Sequence, residues 1–287
     1  MKKHFFGWTA IAALICTAGL VSCNEKKEEK QATADGKPVV EIPKDLYRYT
    51  AADQANKKGN MAVEKLGFSK KLNATNKEEF KGNKSIKELY LLDGFGHVAE
   101  SSFEGCTELE KLVMTGTIDV LNDHAFEGCT KLKGVDGDIR TIGLATFKGC
   151  TSLEYLRTTD NLYWVRDESF AGCTNLKSII LGTTLVKFED GAFKDCPNVE
   201  EVSIPSDFRR HMFNVYKDMK KLNKVYLLVM ECYPFPENSK DFPCEQVDLY
   251  VPDNLVAQYK ENESWKRFKS ILPLSQSEYY TAEGWRK

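Results

Sequence analysis

FEGCTELEKLVM occupies residues 103–114, and the phrase returns as FEGCTKLKGV at 126–135, FKGCTSLEYL at 147–156, FAGCTNLKSI at 170–179 and FKDCPNVEEV at 193–202. A cysteine that comes back five times in one frame is a metal ligand, half of a disulfide, a reactive thiol or a filler. Metal sites need ligands two to four residues apart, or His and Cys brought in beside them; this spacing offers neither. Five equivalent cysteines cannot all pair, and Met219 fills the sixth place with no thiol at all. The pattern therefore predicts a small apolar side chain stacked in a ladder, buried and unreactive.

Phe103, Phe126, Phe147, Phe170 and Phe193 stand 23, 21, 23 and 23 residues apart. Three residues after each cysteine comes Leu109, Leu132, Leu153, Leu176 or Val199, and three further Leu112, Val135, Leu156, Ile179 or Val202. A sixth unit uses Tyr216, Met219, Leu222 and Val225, and flanking fragments (Ile86 and Leu89; Phe242, Cys244 and Val247) extend the array over about 85–252. Such a period means one short strand and one return segment per unit, stacked so that neighbours bury what a single unit cannot. The expected fold is a β-rich leucine-rich-repeat solenoid with a parallel sheet. An apolar residue five before each Phe (Val98, Leu121, Ile142, Val165, Phe188) and a small one just before it (Ser102, Ala125, Thr146, Ser169, Ala192) turn the chain back to the core. Gly105, Gly128, Gly149 and Gly172 are read as positions of positive φ, with Asp195 and Asp218 as substitutes. Residues 39–84 are read as a partly helical N-terminal cap, and 253–287 as a helical C-terminal cap and tail. In the latter Asp253 caps a helix bearing Leu255, Val256 and Tyr259. Cys232 and Cys244 fall in a Pro-rich stretch, and a disulfide between them stays an open alternative.

With these residues in view, the units resemble the BspA-type leucine-rich repeats and their phrase A-F-x-G-C-x-x-L. The closing Leu249-Tyr250-Val251-Pro252, Tyr259, Trp265, Phe268 and Ile271 resemble that family's terminal segment. The resemblance implies display at a bacterial surface and adhesion to host proteins or other cells.

Lys2 and Lys3 precede an apolar run from about Phe5 to Val21 that ends in Leu20-Val21-Ser22-Cys23. This reads as an export signal over 1–22, and its end resembles a bacterial lipobox, which implies cleavage before Cys23 and lipidation of its thiol. Residues 23–38 are charged and lack aromatics, so they read as a tether unable to bury apolar surface. The expected location is the outer membrane, through a lipid anchor, with the body at the cell surface.

The 40 Lys and Arg nearly balance 42 Asp and Glu, without the positive bias that nucleic-acid binding usually shows. Nucleic acid is set aside. Gly94-Phe95-Gly96-His97-Val98-Ala99 imitates a dinucleotide fingerprint, but the repeat's Ser102-Phe103 stands where the helix should start. The histidines show no metal spacing, Asp136 and Asp138 read as exposed loop charges, and no nucleophile has a base in frame. No enzyme, metal or cofactor is expected. Function is placed on outward strand positions, with Tyr90, Lys111, Asp136, Tyr155, Arg157 and Tyr226 as candidate contacts beside Val113, Ile180 and Ser203. Tyr and Arg are common interface anchors. Trp164, next to Tyr163, is either an exposed stacking surface or buried in a wider coil. The expected partner is a protein of a host or bacterial surface; the alternative is an accessory lipoprotein holding polysaccharide for a separate degrading or uptake system.

Overall fold

The computed structural model describes residues 40–69, 71–189, 191–205, 215–216, 219–235, 242–281 and 284–285. The signal segment, Cys23 and the tether lie outside them. Each coil of the chain visits three sides. On the first, short strands with alternating side chains form a four-stranded parallel sheet: Tyr47–Arg48, Lys65–Phe68, Glu88–Leu91 and Lys111–Met114. Seven more continue the same side: Gly134–Gly137, Tyr155–Thr158, Ser178–Ile180, Glu201–Ile204, Lys224–Leu227, Asp248–Val251 and Ser270–Pro273. Their inward aliphatics are in register, Leu89 beside Leu112, and Leu156 beside Ile179, Val202, Val225, Leu249 and Ile271 in turn.

The ladder is interrupted between Lys111–Met114 and Gly134–Gly137, in the coil whose period falls to 21 residues. Only Asp138 there separates the first strand from the next, Ile139–Ile142, where the preceding coil uses Thr115, Gly116 and Thr117. The missing residues thus come out of the corner between two sides. The return half is more regular than a turn: His97–Val98, Ile118–Leu121, Ile139–Ile142, Trp164–Val165 and Lys187–Phe188 make a second parallel sheet. Val98, Ile118, Leu121, Ile139, Ile142 and Val165 are its buried positions. On the third side the Phe turns bond coil to coil, as in Phe103 N–H to Ala125 O at 2.8 Å and Gly105 N–H to Glu127 O at 2.7 Å. The four glycines there have φ of 69 to 74°, and Asp195 takes the same conformation at 58°.

The aromatic rings stack along the solenoid axis. Phe80 on Phe103, Phe103 on Phe126 and Phe126 on Phe147 have centroids 4.9, 5.4 and 5.3 Å apart and planes within 5° of parallel. The stack continues through Phe170 and Phe193 to Tyr216. Each cysteine lies beneath it, and its role exceeds filling. The thiols of Cys106, Cys129, Cys150, Cys173 and Cys196 donate to the carbonyl oxygens of Phe80, Phe103, Phe126, Phe147 and Phe170, at 3.1 to 3.2 Å. Each carbonyl belongs to the preceding coil, so the sulfur joins two units. Burial pushes these thiols up, Cys106 to about 11 and Cys196 to about 12, and so keeps the donor protonated.

The repeat begins earlier and ends later than its cysteines indicate. Within 39–84 the chain already supplies the strand Lys65–Phe68 and the ring of Phe80, 23 residues before Phe103. Asn83 takes the cysteine place, buried. Its Nδ2 donates to the carbonyls of Gly59 and Met61, and its Oδ1 accepts from the N–H groups of Ser85 and Ile86. An amide here ties the first full coil to the irregular segment outside it, which a thiol lacks the donors to do. Among the described residues, α-helix at this end is limited to Ala51–Ala55, closed by a capping box of Thr50 and Asp53 and followed by a 3-10 turn at Lys58–Asn60. At the other end Ser270–Pro273 adds another sheet strand, and the helix is the short Val256–Glu261. Asp253 does not cap it: its Oδ1 accepts from Ser275 N–H at 3.0 Å, because Pro252 turns the chain into a 3-10 turn that places the carboxylate toward the next coil. Leu255, Tyr259, Trp265 and Phe268 cover the final coil. Cys232 and Cys244 are both free thiols.

Phe147→Ala is expected to lower unfolding free energy by about 3–5 kcal/mol through the cavity it leaves between two rings. Cys150→Ala is expected to cost about 1–2 kcal/mol, by loss of a sulfur and of one hydrogen bond; denaturant midpoints at constant slope measure both. Equal costs would refute the division of labour between ring and thiol. The raised thiols also set a pH dependence. Above about pH 9 the unfolded chain releases thiol protons that the folded chain keeps, so stability should fall with rising pH, by about 1.4 kcal/mol per pH unit for each buried thiol. Cys150→Ala should flatten the stability curve between pH 9 and 11 by one such increment.

Candidate functional site

The alternation that sends Leu112, Val135, Leu156 and Ile179 inward leaves two side chains per strand on the outer face of the first side. One column reads Lys65, Glu88, Lys111, Gly134, Tyr155, Ser178, Glu201 and Lys224; the other reads Gly67, Tyr90, Val113, Asp136, Arg157, Ile180, Ser203 and Tyr226. All the sequence candidates of this face lie in these columns. They do not share one environment.

Lys111, Asp136 and Arg157 are exposed and Tyr155 is half-buried. Tyr90 and Tyr226, by contrast, are 1% exposed, Ser203 is fully buried and Ile180 is 4% exposed. Free-surface contact is therefore corrected for Tyr90 and Tyr226. The cause is the ends of the body folding back over the sheet. Near the start, the side chain of Leu46 occupies the space a Cβ would need at Gly67, 2.7 Å away, beside Tyr90 in the ladder. Tyr90 then donates its hydroxyl to Glu88 at 2.5 Å, with Lys111 Nζ 5.7 Å from its ring centre. Near the end, Leu274 and Tyr279 pack on Ile180, Tyr226 and Leu228.

What stays open is the middle of the face. A Cβ on Gly134 would lie 2.1 Å from the ring of Tyr155, so this glycine gives the tyrosine the room to lie across its neighbouring strand. The guanidinium carbon of Arg157 is 5.0 Å from the centre of that ring and 5.8 Å from that of Tyr279, within the range of cation–π attraction. Asp136 faces Arg157 across one strand spacing. Its side chain reaches solvent, yet the surrounding strands strip enough water to raise its carboxyl above the usual range, with the Arg157 charge acting in the other direction. Lys111, Asp136, Tyr155 and Arg157 thus make a mixed strip of one aromatic and three charged side chains, with Val113 buried beside them.

Trp164 lies on the outer face of the second sheet, half-buried, while Val165 points into the core. Lys187 Nζ sits 4.0 Å from its ring centre and the Arg166 guanidinium carbon 5.4 Å; its Nε1–H donates to Glu189 at 3.2 Å. Beside it Tyr163 and Val186 of the next coil are 52% and 59% exposed. Among the described residues no group of His, Cys, Asp and Glu is arranged to hold a metal ion, and no helix is long and apolar enough to cross a membrane. Sequence reasoning missed Ser178, Glu201 and the Tyr279 that covers them. The hint in the sequence was Leu274 with Tyr279, Tyr280 and Trp285 in a largely polar tail.

The chain matches the family described as BspA type leucine rich repeat region, in six copies over residues 58–133 and 140–231. No curated protein matches it. Among solved structures it is similar to a T. pallidum leucine rich repeat protein, at 17% identity over 63% of this chain and 81% of that one, with a TM-score of 0.40. It is also similar to a leucine rich cell surface protein of Faecalibacterium prausnitzii, at 13% identity over 86% of each chain and a TM-score of 0.34. A leucine-rich repeat protein of Bacteroides ovatus shares 16% identity over 88% of this chain and 87% of that one, with a TM-score of 0.31.

Proposed function

Since the chain belongs to the BspA-type leucine-rich-repeat family, we propose that it is a cell-surface protein, lipid-anchored in the outer membrane through Cys23, whose open outer strip binds a protein of a host or neighbouring bacterial surface. The observation that carries this reading is the strip itself: an exposed Arg157 poised over tyrosine rings in the middle of a sheet whose two ends are covered. Arg and Tyr in a partly dried setting are the residues on which protein interfaces concentrate their energy, and Asp136 and Lys111 beside them supply charges that select a partner by complementarity. Leucine-rich-repeat solenoids are typically interaction scaffolds rather than enzymes, since each coil's interior is occupied by core and function is left to the outside.

Polysaccharide binding, the alternative, would centre on Trp164 and Tyr163. A sugar ring stacks on a free aromatic face, and Lys187 already stands over that of Trp164, which favours the protein reading. Anchorage at Cys23 is supported by the charged start, the apolar run and the lipobox-like Leu20-Val21-Ser22 before it.

Probing protein and glycan arrays with the body freed of its anchor (residues 24–287) is expected to return protein ligands whose binding drops at least about tenfold in Arg157→Glu, as for an interface anchor, and survives Trp164→Ala. Signals from glycans alone, abolished by Trp164→Ala, would overturn the choice. Cys23→Ala is expected to move the protein from the membrane to the soluble fraction, since all of the anchor's acyl chains would be attached to that residue; unchanged fractionation would refute the anchor. Protease treatment of intact cells is expected to remove the body; a body that resists until the cells are lysed would refute surface display.

A further inference from the structure

The outer face beyond the open strip is occupied by the chain's own tail, and the manner of that occupation describes a ligand. After the last strand, Ser270–Pro273, the chain makes a 3-10 turn at Leu274–Gln276 and passes back over the strands it has just completed. Leu274 and Tyr279 are inserted, while Ser275, Gln276 and Glu278 between them are exposed. The Tyr279 ring meets Tyr226 edge to face at 5.2 Å and 76°. Its hydroxyl donates to Glu201 and lies 3.4 Å from Ser178 Oγ. Glu278 accepts from Lys224 at 3.2 Å, in a pair open to solvent.

Among the described residues the tail's contacts lie on the outside of the coils. Tyr280–Thr281 pairs with Gly284–Trp285, so its terminal strands bond to each other. The apolar residues under it form a cluster separate from the main core that holds Leu156, Ile179, Val202 and Val225. Lifting it would leave the described interior that holds Leu156, Ile179, Val202 and Val225 in place, and elements laid on the outside of a body open before its core does.

We propose that this part of the face is a recognition groove for an extended peptide segment of a partner protein, carrying an apolar residue and, five residues on, a tyrosine preceded by an acid, and that the tail is its tethered competitor. The groove supplies an apolar socket, a basic residue for the acid and the Glu201–Ser178 pair for the tyrosine hydroxyl; Arg157 borders it and joins it to the open strip. The proposal rests on reading this sheet as a recognition face. A partner must displace the tail, so its apparent affinity is reduced by the fraction of molecules with the tail lifted.

The test uses a fluorescein-labelled synthetic peptide of residues 273–287 and compares the intact chain with one ending at Pro273. Anisotropy titrations should show saturable binding to the shortened chain and binding at least about tenfold weaker to the intact one. The same peptide with Tyr279→Ala should fail to bind, and Glu201→Ala in the shortened chain should weaken binding about tenfold, as loss of a hydrogen bond to a charged group does. If the shortened chain does not fold, the full chain carrying Leu274→Ser and Tyr279→Ala takes its place with the same expectation. No binding to the folded, uncovered chain, or equal binding to covered and uncovered chains, would overturn the proposal. So would an intact chain that is dimeric and becomes monomeric on shortening, for the tail would then belong to a second copy. Because the probe is the protein's own peptide, failure to find any partner on arrays would not affect this result, and a negative result here would leave the open strip untouched.

Discussion

Everything in this molecule depends on one coil lying against the next. A unit of about 23 residues cannot bury an aromatic ring, two or three aliphatics and its own backbone groups by itself, so its stability is shared with its neighbours. Here the sharing is done in three ways at once: strand ladders on two sides, N–H to carbonyl bonds at the Phe turns, and a column of rings with thiols beneath it. The thiol is the economical part. It is small enough for the site, apolar enough to be fully buried, and still gives a proton to a carbonyl of the coil before it. Because burial raises its pKa, the donor does not ionise in the range where the body must be stable.

Stacking of this kind fixes what is left for function. The inward side chains are committed, and outward positions are where residue type is freer of packing. Yet outward did not mean exposed. The tail packs on Ile180 and Tyr226, and Leu46 lies against Gly67 beside the buried Tyr90. The open part is reduced to a few strands near the interruption of the ladder, where the shortened coil brings Gly134 under Tyr155 and Asp136 opposite Arg157. A shorter corner, a glycine and a tyrosine thus together form the surface on which the proposed binding rests. The cations around Trp164 show the same economy on the second sheet, where the ring serves to hold charge at the surface.

The period of Phe, Cys and Leu was enough to specify parallel stacking, the inward aliphatics and the positive φ at the turn glycines, because each of those follows from local geometry repeated many times. It misplaced the limits of the array for an equally physical reason. An end coil has a different neighbour, so Asn83 replaces the cysteine to bond an irregular segment, and Ser270–Pro273 pairs as a strand without the Phe-Gly-Cys phrase. A search keyed on the cysteine passes over both, although Phe80 keeps the interval.

Tertiary structure alone decided which outward residues meet water. Lys111, Asp136, Tyr155 and Arg157 look no different in sequence from Tyr90 and Tyr226, since alternation assigns all of them to the same face. What separates them is contact with residues far away along the chain: Tyr279 reaches Ser178 across 101 positions. Local periodicity carries the inside of a solenoid because every coil repeats it; the outside is set by single, non-repeating encounters that leave no period to read.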